Sequence, residues 1–195
     1  DCFDLFAENP VPKIRCGCVS DIHCSPDGVG FTLTLNGESR RAHSKLLGKH
    51  SAYNIGLAAE AAFVAGMSLD EIVSAIGNLE FIEHRLQLIK ANGVNILDDG
   101  YNSNVKGARA ALEVLKTFGG RQIVVTPGLV ELGVLEEEEN ALLGKDLVGF
   151  DLIILVGDTL VTAVKRGYVD GGGEEEKLII KPNLAEAQEE LKNFI

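Results

Sequence analysis

From residue 86 onward the chain alternates short apolar runs with helical patterns, and this rhythm constrains the fold more than any other feature. The runs predict strands at 86–90, 94–98, 122–126, 152–156 and 177–180, with helices at about 105–117, 136–147, 159–166 and 184–193. Val105, Ala108, Leu112 and Leu115 recur at helical spacing and form one apolar face. Glu136 to Glu139 fall in a first helical turn, where the macrodipole favours negative charge. Asn183 with Glu186 marks the start of the last helix. Such alternation predicts an α/β architecture: a Rossmann-like, mostly parallel sheet with flanking helices. Ligands of open α/β sheets gather at strand-to-helix junctions. Asp98-Asp99-Gly100-Tyr101-Asn102-Ser103-Asn104 places two acids, a tyrosine and two asparagines at one of them.

The first part reads differently. Ile14 to Val19 is a candidate strand, Ser25-Pro26-Asp27-Gly28 a turn, and Phe31 to Leu35 alternates with period two before the hairpin signal Asn36-Gly37. Ala52 to Ala65 is small and apolar nearly all round, which predicts a buried helix that Gly66 stops. Ser68 and Glu71 form a capping box that opens a second helix, through about Ile76. The two parts meet near His84-Arg85-Leu86. Gly171 to Glu176 reads as a solvent loop.

A hydrophobic content of 46% supports a packed core, and no apolar run approaches the length of a membrane span. The net charge of −11, with acidic runs at 136–139 and 174–176, argues against nucleic acid as a partner. A phosphorylated small molecule stays open, because a few local donors override the overall field. Neither G-x-x-x-x-G-K-[ST] nor G-x-G-x-x-G is present, so this chain has no common phosphate cradle of its own. Cys2, Cys16, Cys18 and Cys24, with His23, admit a zinc site, but the paired C-x-x-C pattern is missing, which favours free thiols in a reducing cytosol. The opening Asp1-Cys2-Phe3-Asp4 has no Met and no signal-peptide core, which predicts a fragment boundary. The close of the chain just after a helix predicts that a last edge strand is missing.

Gly48-Lys49-His50-Ser51-Ala52-Tyr53-Asn54-Ile55-Gly56-Leu57-Ala58-Ala59 resembles the G-x-H-N-x-x-N-x-x-A-A element of the Mur ligases. Arg85-Leu86, then Asp98 to Asn104, then Thr126-Pro127-Gly128-Leu129-Val130-Glu131-Leu132-Gly133, follow in that family's order, and the resemblance is strongest from residue 47 to about 157. It implies that residues 1–84 are the C-terminal part of a central ATPase domain and 85–195 the family's C-terminal domain. The D-D-x-Y-N-x-N element is similar to that of the members adding D-alanyl-D-alanine to UDP-N-acetylmuramoyl-tripeptide. The resemblance therefore implies those two substrates, ATP with Mg2+, an acyl-phosphate route, peptidoglycan precursor synthesis and a cytoplasmic location, with neither nucleic acid nor membrane as partner.

By the same resemblance, Asn54, His50, Arg85 and Asp99 would meet ATP, while Tyr101, Asn102 and Asn104 would line the dipeptide cleft. No metal ligand is assigned. Each of these residues also has a plain structural reading: His50 and Asn54 as polar helix residues, Arg85 as a hinge ion pair, Asp98 and Asp99 as helix caps, Tyr101 as a packed ring, Asn104 as an N-cap. Adjacent strand residues point to opposite faces, so at most one of Asp98 and Asp99 is expected to reach a ligand directly, and Asp99, nearer the strand's C-terminal end, is the choice. Ser51 replaces the family's first Asn; it can cap a helix but offers no amide. Gly100 adds backbone freedom after Asp99. The phosphate loop, magnesium ligands, carbamylated lysine and UDP-binding domain would lie upstream, so the fragment alone is expected to be inactive. Rival readings are another ligase of the superfamily, of the folylpolyglutamate synthase or cyanophycin synthetase type, a non-catalytic ligase-like partner module, and a small-molecule binding domain whose ligand is unrelated to ATP.

Overall fold

A computed structural model describes residues 17–101 and 104–195. It opens on an antiparallel sheet of β1 (Val19–Ser25), β2 (Gly28–Leu35) and β3 (Glu38–Ser44), in that order. The strand expected at Ile14 to Val19 falls largely outside the described residues, and β1 begins where that reading ends. The period-two pattern of β2 buries Val29, Phe31, Leu33 and Leu35 on one face. Two helices cover that face, α1 (Lys49–Val64) and α2 (Leu69–Gly77), through Ala52, Ile55, Ala59, Ile72 and Ile76. Ser68 and Glu71 cap α2 reciprocally, as their spacing predicts.

The reading of α1 as buried all round is corrected. Only its Ala52, Ile55, Gly56 and Ala59 side meets the sheet. Tyr53, Leu57 and Val64 lie on the other side, Val64 with 72% of its surface exposed. The small residues on the inner side let the helix sit close to β2, and one sheet can cover only one side of a helix.

The second part begins with a hairpin. β4 (Gln87–Ala91) and β5 (Val94–Asp98) pair antiparallel across Asn92-Gly93, both left-handed at φ +50° and +80°, the twist a tight hairpin needs. They form a sheet of their own. After α3 (Val105–Leu115), a parallel sheet runs in the order β6 (Ile123–Thr126), β7 (Leu152–Val156), β8 (Leu178–Lys181). The parallel sheet with flanking helices is thus present, but the first two strands stand apart as a ribbon. Between these strands come α4 (Glu136–Asp146) and α5 (Val161–Asp170), and α6 (Leu184–Phe194) follows β8. α5 starts later than its pattern predicts, because Gly157 at φ +101° carries the chain through a bend first.

β7 is the centre of this core. Ile153 and Leu155 pack on one face with Leu112, Leu143, Leu147, Val164 and Tyr168 of α3, α4 and α5. Leu152 and Ile154 pack on the other with Ala187, Leu191 and Phe194 of α6. A separate cluster of Leu47, Leu86, Val114 and Phe118, with Phe81, Leu88, Leu97 and Ala111, ties the hairpin to α3 and to the loop before α1. That tie fixes the place where the family-like residues meet.

Candidate functional site

Three pieces converge: the start of α1, the segment 84–86 and the end of β5. Gly48, at φ +83°, turns the chain into α1. A β-carbon there would lie 2.7 Å from the His50 ring and 3.1 Å from Val114 of α3, so the imidazole folds back over the glycine. Ser51 lies inside the first turn and donates its hydroxyl to the Leu47 carbonyl at 2.7 Å. It is therefore not the helix cap; Gly48 holds that position. Asn54, one turn beyond His50, is exposed.

Arg85 sits between two left-handed residues, His84 at φ +59° and Leu86 at +46°. The end of β5 holds that turn. The Leu86 N–H donates to Asp99 Oδ1 at 3.0 Å, and the Tyr101 N–H donates to the His84 carbonyl at 3.2 Å. His84 Nδ1 lies 2.8 Å from Asp98 Oδ2, and the Gly100 N–H donates to Asp98 Oδ1 at 3.1 Å. The two carboxylates do not diverge as strand neighbours would. β5 ends at Asp98, so Asp99 lies past the pleat; Asp98 meets His84 and Asp99 meets Leu86, both on the 84–86 turn. The Arg85 guanidinium rests 4.5 Å from the centroid of the Tyr101 ring, which is 69% exposed.

Burial raises the Asp99 carboxyl above its ordinary pKa; the Leu86 N–H and the charges of His50 and Arg85 pull it back, while Asp98 adds to the rise. A carboxyl whose folded pKa is raised contributes stability below its unfolded pKa and loses it as pH rises through the folded value. Asp99→Asn keeps an acceptor for Leu86 and removes the charge. In this chain it is expected to raise the melting temperature at pH 7 and to leave it unchanged near pH 3, where Asp99 is neutral in both states. A lower melting temperature at pH 7 would refute this account.

Of the other residues singled out, Asn104 caps α3, its Oδ1 accepting from the Gly107 N–H at 2.9 Å, and Asn102 lies outside the described residues. Cys18 is buried, its thiol donating to the Gly56 carbonyl at 3.4 Å, and Cys24 is half-buried; Cys2 and Cys16 are outside the described residues. Burial pushes the Cys24 thiol upward, against the pull of Lys49. Among the described residues no group of three or more His, Cys, Asp or Glu could hold a metal ion.

Two features escaped the sequence reading. One is the His84–Asp98 pair, since nothing in spacing couples residues on separate segments. The other is Asn140, fully buried under the loop after β6. Its Oδ1 accepts from the Leu129 N–H, and its Nδ2 donates to the carbonyls of Leu129 and Glu136, each at 2.8 Å. Its place at helical spacing from Leu143 and Leu147 was the available signal. The loop it holds carries Leu129 and Leu132, which join Val105 and Ala108 of α3 in one cluster. The Thr126 to Gly133 loop therefore shares a core cluster with the helix that the Asp98–Asn104 junction leads into.

The segment from His84 onward, though not the start of α1, forms a recognised unit: the family model described as "Mur ligase, glutamate ligase domain" matches residues 84–193. The chain belongs to the Mur ligase family. Among Mur ligases, it is 28% identical over 176 residues to the UDP-N-acetylmuramoyl-tripeptide--D-alanyl-D-alanine ligase of Escherichia coli K12, covering 88% of this chain and 39% of that protein. The enzyme of the same name from Bacillus subtilis 168 is 29% identical over 122 residues, 61% of this chain and 26% of that one. Among solved structures, a crystal structure of MurF from Acinetobacter baumannii superposes with a TM-score of 0.79 at 29% identity, over 91% of this chain and 38% of that chain. Folylpolyglutamate synthase from Thermotoga maritima shares the fold, with a TM-score of 0.63 at 19% identity over 88% of this chain and 40% of that chain. The chain thus spans about two fifths or less of the Mur ligases it matches.

Proposed function

We propose that this chain is the C-terminal portion of an ATP-dependent ligase that joins D-alanyl-D-alanine to UDP-N-acetylmuramoyl-tripeptide. The observation that carries the reading is the juxtaposition of Arg85, Asp99 and the exposed start of α1 on one junction. Residues 1–84 are read as the end of the central ATPase domain and 85–195 as the C-terminal domain.

The residues present suit a nucleotide in part. Arg85 offers a planar cation for phosphate oxygens. Asp99 commits Oδ1 to Leu86, which leaves Oδ2 to accept from a ribose hydroxyl. Asn54 and His50 offer polar atoms on one exposed helix face, and Tyr101 and the amide nitrogen of Asn104 would face the dipeptide, a role also proposed for Asn102, which lies outside the described residues. Mg2+ and most of the triphosphate would be held by a part of the enzyme outside this chain, and the chain alone would be inactive. ATP supplies the phosphoryl group that activates the tripeptide carboxylate for attack by the dipeptide amine, with release of phosphate. This chain would close over that site and exclude water that would otherwise hydrolyse the activated acid.

Arg85→Ala in the complete ligase is expected to raise the KM for ATP about ten- to a hundred-fold, the size of a lost charge-assisted contact. Unchanged nucleotide kinetics would remove Arg85 from the site. A second reading, a ligase that adds glutamate, is favoured by the description of the matched family model. Product formation with D-alanyl-D-alanine or with glutamate as the acceptor amine decides between the two.

A further inference from the structure

Arg85 is the cation of the candidate site, and an arginine has enough rotatable bonds to make its resting place a matter of design rather than of sequence position. Here the backbone around it is in an unfavourable region. A left-handed φ is costly for residues with a β-carbon, and both His84 and Leu86 adopt it, at +59° and +46°. Contacts from elsewhere must hold the turn. Two act on its backbone: the Leu86 N–H donates to Asp99 Oδ1, and the Tyr101 N–H donates to the His84 carbonyl. The third joins two side chains: His84 Nδ1 meets Asp98 Oδ2 at 2.8 Å. The other oxygen of Asp98 accepts from the Gly100 N–H at 3.1 Å, so the carboxylate is anchored at both oxygens. All these partners come from 98–101, the segment that also supplies the ring under the Arg85 guanidinium.

We propose that His84 is a positioning residue for Arg85: held by Asp98, its ring fixes the left-handed turn that keeps the guanidinium over Tyr101. A guanidinium placed in advance loses less freedom when it meets an anion. The link to nucleotide affinity rests on the reading of Arg85 given above; the positioning itself does not.

The proton shifts of the Arg85 side-chain methylenes in the 195-residue chain report the stack, because the Tyr101 ring current moves them upfield. Tyr101→Leu sets the zero of that scale. His84→Gly is the informative variant, since glycine takes the left-handed turn without strain and the fold persists while the ring is lost. Its upfield shift is expected to fall below about half the wild-type value, as ordering of a long side chain is lost. Asp98→Leu should do the same. Asp98→Asn, whose amide can still meet the imidazole and accept from Gly100, should keep more than about half of it. A full upfield shift in His84→Gly, or equal losses in Asp98→Leu and Asp98→Asn, would overturn the proposal. The Asp98 pair gives the same readout if the glycine variant fails to fold. In the complete ligase, His84→Gly is expected to raise the KM for ATP about five-fold with little change in kcat, the weight of one side chain's ordering. An Arg85→Ala ligase with unchanged KM would undo the nucleotide reading alone; a retained ring-current shift in His84→Gly would undo the positioning alone.

Discussion

Gly167→Ala is expected to destabilise the chain by about 3 kcal/mol or more, the range for forcing atoms into a packed interior. α4 and α5 touch backbone to backbone. A β-carbon on Gly167 would run into the Ala141 carbonyl and lie 2.7 Å from its Cα, and one on Gly144 would run into the Val164 carbonyl and lie 2.6 Å from the Tyr168 nitrogen. Neither obstacle is a side chain that can swing aside. The helices would have to separate, and Val164 and Tyr168, 0% and 1% exposed, would lose their packing on β7. Gly77 is the control: it is helical and exposed, and a β-carbon there meets nothing within 4 Å. Gly77→Ala should gain about 0.5–1 kcal/mol from helix propensity. Urea denaturation of the three proteins tests this. A Gly167→Ala midpoint indistinguishable from wild type would show that the two helices are not in contact as described.

Asn140→Leu should cost about 3 kcal/mol, with the damage localised. The leucine fills a similar volume but abandons the N–H and carbonyl of Leu129 and the carbonyl of Glu136, all met at 2.8 Å by the amide. Each buried polar group left without a partner costs on the order of 1–3 kcal/mol, so the total depends on how far the loop can open to water. Opening is favoured here, because Gly128 is placed by the same asparagine: a β-carbon on it would lie 2.7 Å from Asn140 Oδ1. Hydrogen exchange should therefore show the Leu129 amide losing most of its protection, while the Ile153 and Ile154 amides on β7 exchange only as the global stability falls. Equal loss at all three sites would mean that Asn140 supports the whole domain rather than the loop.

Much of this molecule was legible before any coordinates. Period-two burial on β2, the reciprocal cap at Ser68 and Glu71 and the Asn183 cap of α6 all follow from local pattern. Local rules work there because the interactions that decide those elements lie within a few residues of each other. The antiparallel pairing of β4 with β5 was less visible, although Asn92-Gly93 announces a hairpin as strongly as Asn36-Gly37 does. The strand–helix rhythm around it drew the two runs into the larger sheet.

The amino-acid sequence by itself determined the elements, their caps, the family-like order of Gly48–Ala59, Arg85, Asp98–Asn104 and Thr126–Gly133, and so which residues to watch. Only the tertiary structure decided what those residues do to each other. It exposed one side of α1, moved Ser51 from cap to helix interior, turned both Asp98 and Asp99 toward the 84–86 turn and brought the His50 and Arg85 charges to bear on Asp99. The reason is physical. Burial, left-handed turns and charge coupling depend on distances between segments far apart in the chain, and those distances are set by how Leu47, Leu86, Val114 and Phe118 pack, not by any spacing along the sequence.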